Sequence, residues 1–230
     1  MLIDVRVYTY QPSLFRTFLT AYEERGFPLT TKHLGTTLGI FTTASGIANQ
    51  TVQMFAYESA AHRDQCRVGL LKDQAWLEFT RSVSPMIVRQ ENTLLTSVAA
   101  SELRQVAQIP KLAEAAAARK VAGSPPLLFE WRCLTVRPGR LDKALAMLGQ
   151  AGTTPAPPAV ETPVGLFEAD TGIANRIFAL SAFSSAAERA ERRNAARAEP
   201  NARVFERVMG DLCSEQSCTL LAPTPYSPLR

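Results

Sequence analysis

Three polar residues alternate through the first strand-like run of the chain: Asp4, Arg6 and Tyr8, set between Ile3, Val5 and Val7. A guanidinium can hold an anion, and a carboxylate or phenol beside it can move a proton. Gln53 and Tyr57 lie on a third such run, Arg89 and Glu91 on a fourth, and a period of two makes them candidates for the same face. Arg132 with Glu130 repeats Arg6 with Asp4. One reading places the set in a cavity, with Arg6 on an anionic group and a tyrosine or carboxylate for proton transfer. The other is structural: Arg6 pairs with Asp4 or Glu91 to satisfy a partly buried charge. His33, beside Lys32, is a further ligand-binding candidate because it reads as a loop residue, and loops often carry function. No nucleophile–base pair stands out, so no catalytic residue is named.

The elements that must position these groups follow from periodicity. Residues 2–10 read as a strand whose apolar set is expected to pack on helices, turning the polar set toward the space between two sheets. Gln11-Pro12-Ser13 turns into a helix with apolar Leu14, Phe15, Phe18, Leu19 and Tyr22, expected to end near Gly26. A loop from Phe27 to Gly35 then holds Pro28, Lys32 and His33. Leu38 to Thr43 and Gln50 to Tyr57 form a hairpin around Gly46. Ser59 is placed to cap a helix from Ala60 to about Leu71, a turn with Trp76 and Phe79 follows, and Ile87 to Leu95 is the fourth strand. Strand, helix, strand, strand, helix, strand is the ferredoxin-like order.

The whole order occurs twice. Gly39-Ile40-Phe41 and Gly46-Ile47-Ala48-Asn49 recur as Gly165-Leu166-Phe167 and Gly172-Ile173-Ala174-Asn175, and the shift is one number: 165 − 39 = 172 − 46 = 126. Such a self-match marks a domain-sized duplication. The glycines suit a turn or a close chain approach; no phosphate-loop spacing is present. Asn49 and Asn175 are expected to bond the hairpin backbone. In the second copy Ser185-Ala186-Ala187-Glu188 is a full capping-box sequence. The expected organisation is a first repeat at 1–97, a helical linker at 98–126 broken at Pro110, a second repeat at 127–222 and an irregular tail at 223–230. A ferredoxin-like unit leaves one sheet face needing cover. The fold class is therefore α+β: two βαββαβ repeats packed sheet to sheet as an intrachain dimeric α/β barrel.

Composition narrows the function classes. A net charge of +4 with scattered arginines, and no basic run interleaved with aromatics, argues against nucleic acid. No apolar run approaches the ~18 residues of a membrane span. Met1 leads straight into a strand, so no leader is expected. Four cysteines without C-x-x-C spacing then suggest reduced thiols in a cytoplasm. With two histidines, neither at metal-ligand spacing from a cysteine, no metal and no tightly held cofactor are expected.

The chain resembles the NIPSNAP family. The match runs through Arg6-Val7-Tyr8-Thr9-Tyr10, Pro12, Lys32-His33-Leu34-Gly35, Leu38-Gly39-Ile40-Phe41-Thr42-Thr43, Gly46 and Asn49-Gln50. It continues through Tyr57, Ser59, Arg63, Trp76, Phe79 and Gln90-Glu91-Asn92. In the second copy it rests on Arg132, Pro138, Gly165, Phe167, Gly172, Asn175 and Arg189. The resemblance implies the dimeric α/β-barrel form of the ferredoxin-like fold. The family often has a histidine and a tryptophan in the third strand where this chain has Gln53 and Phe55, so a proton-transfer histidine does not carry over. The expected function is binding of a small, partly apolar molecule in a cavity of the barrel. The alternative is a cofactor-independent monooxygenase or isomerase acting on a small organic substrate, anionic or neutral, since relatives sharing the barrel include such enzymes. A small-molecule ligand is the expected partner, with further homo-oligomerisation left open. The pocket is expected to belong mainly to the first copy. There Tyr8, Lys32, His33, Gln53, Tyr57 and Glu91 stand where the second copy has Leu134, Pro158, Ala159, Ala179, Phe183 and Ser217.

Overall fold

The computed structural model describes residues 1–151 and 162–230. Runs rich in β-branched and aromatic residues become strands. The first copy contributes β1 (Leu2–Tyr10), β2 (Thr36–Thr43), β3 (Gln50–Tyr57) and β4 (Ile87–Ser97). The second contributes β5 (Leu128–Val136), β6 (Thr162–Ala169), β7 (Arg176–Phe183) and β8 (Cys213–Pro223). All pair antiparallel in a closed barrel, β1-β3-β2-β8-β5-β7-β6-β4. Closure is by short seams, so residues 87–93 of β4 ladder only with β1 and residues 213–219 of β8 only with β5. The copies join at two seams. Phe41, Thr42 and Thr43 pair with Pro223, Ala222 and Leu221, while Phe167, Glu168 and Ala169 pair with Ser97, Thr96 and Leu95. Adding 126 to one side of a seam and subtracting it from the other gives the second seam. That is an isologous, two-fold-like contact between halves of one chain.

Helices cover the outside. α1 (Phe15–Ala21) and α2 (Phe27–His33) are joined by a π-helical turn, Tyr22–Gly26. The expected helix end at Gly26 and the loop from Phe27 are thus corrected: the helical path runs on to His33. The wide turn, in which the Phe27 N–H donates to the Tyr22 carbonyl, absorbs Pro28, which has no N–H to give. Gly26 serves packing rather than termination, since a Cβ there would lie 2.6 Å from the Phe79 ring. α3 (Ala60–Lys72) is capped by Ser59, whose Oγ accepts from the His62 N–H, and α4 (Gln74–Val83) is capped by Asp73. In the linker α5 (Ile109–Val121) holds Pro110 in its first turn. The proline starts that helix rather than breaking it, because the first-turn N–H groups need no helical partner. α6 (Leu141–Ala151), α7 (Ala186–Ala198) and α8 (Pro200–Leu212) complete the second copy. Ser185 caps α7 through the Glu188 N–H, while the Glu188 carboxylate reaches back to Ser184. Most of the proline-rich stretch before Pro163, including Pro158 and Ala159, lies outside the described residues.

The apolar residues form two kinds of layer. Ile3, Val5, Val52, Met54 and Ala56 meet Phe129, Trp131, Phe178, Leu180 and Ala182 in one cluster fed by both copies, which is the barrel interior. Leu2, Tyr10, Phe55 and Tyr57 pack with Phe18, Tyr22, Leu70 and Phe79 of the first copy's helices. The expected assignment of faces is therefore inverted: Ile3 and Val5 point into the barrel, and Asp4 and Arg6 point at the helices. The apolar middle of the barrel is sealed from water, so an unpaired charge is costly there. The outer face can meet side chains from the helices.

The repeated Gly-x-Phe follows from this packing. The Phe41 ring lies over Gly39, where a Cβ would sit 2.3 Å from it, and Phe167 covers Gly165 in the same way at 2.4 Å. Asn49 and Asn175 adopt left-handed φ of 56° and 59°. Their backbone carbonyls accept from the N–H groups of Tyr10 and Val136, which closes each hairpin onto the neighbouring strand. Pro223, expected in the tail, ends β8 instead. Beyond it the tail lacks helix and strand yet is pinned: Thr224 donates to the Ile40 carbonyl, and the Ile40 N–H donates to Ser227 Oγ. Val98 and Ser101 repeat both contacts on Leu166.

Candidate functional site

The alternation of β1 brings Asp4 and Arg6 together on the helix side, and register adds the rest. Asn92 lies opposite Arg6 on β4, Gln53 opposite it on β3, and Tyr57 opposite Leu2. Arg6 donates through Nε and Nη2 to Asp4 Oδ2 at 3.3 and 3.0 Å. Arg63, from the first turn of α3, donates to the same oxygen at 2.8 Å, and the Asn92 amide donates to Oδ1. Asp4 is fully buried. Burial alone would raise its pKa, but the Arg6 charge and hydrogen bond, joined by Arg63, outweigh it and hold the carboxyl below its ordinary value. The Arg6 guanidinium also lies over the Phe55 ring at 5.1 Å.

The second copy rebuilds this clamp. Glu130 accepts from Arg132 at 2.7 Å, Arg189 at 2.5 Å and Arg193 at 2.5 Å. Burial opposes the arginines at Glu130 as well, and again they prevail, holding it low. Of the two readings of Arg6, the geometry realises the structural one: an acid on the first strand of each copy ties a helix arginine to the sheet. A carboxylate so bound is a weak proton acceptor.

The other candidates separate. Tyr8 is half-buried against the helix-side cluster. Gln53 accepts at Oε1 from the Tyr22 hydroxyl at 3.4 Å, while its Nε2 is buried with no partner. Tyr57 is fully buried, and burial raises its pKa while Arg6 opposes. Because Gln53 and Tyr57 touch neither solvent nor a hollow, the cluster is packed shut around them. Glu91 faces the other way: it lies opposite Val7, half-exposed, and pairs with Arg89 at 2.9 Å. Placing Arg89 and Glu91 on the Asp4 face is corrected by this register. His33 sits at the end of α2 with Nε2 2.7 Å from Asp73, the cap of α4, which Lys32 also reaches at 3.1 Å.

Two hollows lie elsewhere. The larger, about 500 Å³, is an open groove on the outside of the barrel. The first copy supplies Phe27, Thr31, Leu34 and His62, and the linker helix supplies Ile109 and Pro110. The smaller, about 400 Å³, opens among inward-facing side chains of the second copy: Trp131, Cys133 and Thr135 of β5, Arg176 and Phe178 of β7, and Glu215, Ser217 and Thr219 of β8. Trp131 and Phe178 stack at 5.1 Å and 20°. Arg176 Nε donates to Thr135 Oγ1 at 3.2 Å, and its Nη2 lies 4.0 Å from Glu215. Burial raises the Cys133 thiol, opposed by Arg176. The expected first-copy pocket therefore has a divided outcome: the outer groove draws mainly on that copy, whereas the hollow inside the barrel is lined wholly by the second. Neither is lined by Arg6 or Tyr8. Sequence reasoning missed Trp131, Phe178 and Arg176. The available signal was their divergence from Val5, Val52 and Gln50 at inward positions.

Among the described residues no group of three or more histidine, cysteine or acidic side chains could hold a metal, and no helix is long and apolar enough to cross a membrane. All four cysteines are free thiols.

The NIPSNAP family model matches residues 3–102 and 129–228. Protein NipSnap homolog 3B of Mus musculus is 27% identical over 234 residues, covering 99% of this chain and 85% of that protein. A crystal structure of an uncharacterized NIPSNAP domain protein from Burkholderia xenovorans is 30% identical, covers 43% of this chain and 96% of its own, and has a TM-score of 0.42. A Fusobacterium nucleatum protein provisionally assigned as a monooxygenase aligns over 96% of this chain and 91% of its own, with a TM-score of 0.61 at 10% identity. That likeness is one of fold: the barrel made by two ferredoxin-like units.

Proposed function

The chain belongs to the NIPSNAP family, and from that premise we propose that it binds a small, partly apolar molecule in the hollow inside its barrel. The observation that carries this reading is the lining. An apolar floor of Trp131, Phe178 and Cys133 meets hydroxyls and one ion pair at the rim. A few polar groups around an apolar floor are how small-molecule sites fix orientation, and about 400 Å³ falls within the roughly 300–1,000 Å³ they occupy. Native mass spectrometry of the protein purified from its own host tests it. A ligand-sized mass should accompany the chain and disappear on denaturation. Ser217→Trp, which fills the hollow from β8, should lose that mass without losing the fold. Retention of the same ligand by Ser217→Trp, or a wild-type chain that carries and accepts nothing, would refute the proposal.

A second reading, cofactor-independent oxygenation or isomerisation of a small organic anion, is favoured by one feature. Glu215 stands at the rim of the same hollow, 73% exposed and only loosely held by Arg176. A carboxylate there could accept a proton from a bound molecule. The clamp at Asp4 supports no such role. Glu215→Gln separates the readings: binding should persist under both, but turnover would vanish under the second.

A further inference from the structure

We infer that the molecule taken into the barrel is a flat aromatic carboxylate, with its ring on Trp131 and Phe178 and its anionic end on Arg176. This deepens the binding reading above and rests on it. The inference comes from how the copies differ at inward positions. Where the first copy has Val5, Val7, Gln50 and Val52, the second has Trp131, Cys133, Arg176 and Phe178. The outward clamp kept its chemistry under the same offset, as Asp4 with Arg6 and Arg63 against Glu130 with Arg132 and Arg189. The one hydrogen bond shared by the inward sites survived the change. Gln50 Nε2 donates to Thr9 at 2.8 Å, and Arg176 Nε donates to Thr135 at 3.2 Å. A neutral amide has thus been replaced by a cation held in the same pose.

That pose leaves the cation available. Thr135 occupies Nε, and Glu215 stands 4.0 Å from Nη2 with its own carboxylate mostly in water. A long, exposed pair of this kind contributes little, so a carboxylate entering the hollow can take the guanidinium with a shorter, charge-assisted contact. The near-parallel stack of Trp131 and Phe178 offers an aromatic guest faces and edges to pack on. Ser217 and Thr219 add hydroxyls along the wall.

Trp131 itself supplies the assay. The chain has two tryptophans, and Trp76→Phe leaves Trp131 as the reporter. Its emission should be quenched saturably by 4-nitrobenzoate, and by 4-nitrobenzyl alcohol only at concentrations at least tenfold higher. Arg176→Gln, which restores the first-copy residue, should abolish that preference, while Glu215→Gln should tighten the acid. Equal affinity for acid and alcohol, unchanged by Arg176→Gln, would overturn the carboxylate inference and leave binding in the barrel standing. No saturable quenching by either probe would overturn both.

Discussion

Asp4→Ala isolates the clamp between sheet and helix. Asp4 is 0% exposed and holds Arg6 and Arg63, whose side chains are 7% and 12% exposed. Removing the carboxylate strands the Arg6 guanidinium beneath α3 without a counter-charge, and breaking a buried pair from one side costs about 3–5 kcal/mol. At about 2–4 °C per kcal/mol for a chain of this size, the melting temperature should fall by about 6–20 °C. Glu130→Ala should cost less. Its partners Arg132, Arg189 and Arg193 are 30%, 21% and 28% exposed and can turn toward water. Replacing the pair together, as Asp4→Leu with Arg6→Met, should restore most of the loss, because an apolar pair leaves no stranded charge. The pH dependence has a definite sign. The folded pKa of Asp4 lies below its unfolded value, so its stabilisation is full above the unfolded value near 3.9 and is lost as pH falls through the folded one. Asp4→Ala should therefore flatten the acid limb of the stability curve. Chemical denaturation from pH 7 to pH 2 measures all of this. A cost below about 1 kcal/mol for Asp4→Ala, or an equal cost for Glu130→Ala, would refute the reasoning from burial.

Gly39→Ala places a Cβ 2.3 Å from the Phe41 ring and should cost about 1–3 kcal/mol; Phe41→Leu in the same chain should recover part of it, as thermal melts would show. Asp73 is held at about 2 by His33 and Lys32, below the ordinary carboxylate value. Carboxyl NMR should find its midpoint there, and its contribution should be lost only as pH falls through that value; Lys32→Ala with His33→Ala should move the midpoint back toward 4. Cutting the chain between Gly123 and Pro126, just past the 89%-exposed Val121, should leave both halves associated on gel filtration. They share one apolar interior and two strand seams, and separation of the fragments would contradict that account.

The repeat made the architecture legible, because one offset of 126 carries every strand of the first copy onto a strand of the second. Alternation in β1 correctly divided Ile3, Val5 and Val7 from Asp4, Arg6 and Tyr8, but it could not say which set faces inward. In a barrel wrapped by helices both faces are covered, and polarity alone does not label them. The deciding residues were Arg63 and Arg189, each in the opening turns of a helix and each kept by the repeat; an arginine there needs an acid on the sheet beneath it. Gly26 misled for a related reason. Glycine followed by Phe27-Pro28 reads as a helix stop, yet the close approach of Phe79 requires that glycine, and a π-turn accommodates the proline. The barrel hollow left no periodic mark at all. It shows only as divergence at inward positions, where Trp131 resembles any core aromatic until its neighbours are known.

Duplication within one chain explains how such a hollow can exist, and this yields the last test. Four antiparallel steps separate β1 from β5 around the barrel, so the two strands run the same way and the pseudo-twofold lies along the barrel axis. Equivalent inward residues therefore face each other across the interior. In a symmetric pair of identical units, a tryptophan at the Trp131 position would meet its own copy, and two tryptophans with two phenylalanines would fill the space. Here Trp131 and Phe178 are matched by Val5 and Val52, smaller side chains packed with them in the same interior cluster. The large pair thus finds its space on the first copy's side, while the hollow stays along the second copy's wall. Restoring symmetry with Val5→Trp and Val52→Phe should push Trp131 and Phe178 back toward β8, and so close the hollow and abolish probe quenching of Trp131. The overpacked interior should cost about 1–3 kcal/mol per insertion. Restoring it the other way, with Phe178→Val and Arg176→Gln and Trp131 kept as reporter, should enlarge the hollow yet remove the anionic preference. Quenching with unchanged affinity and preference in both variants would mean that the hollow owes nothing to asymmetry between the copies.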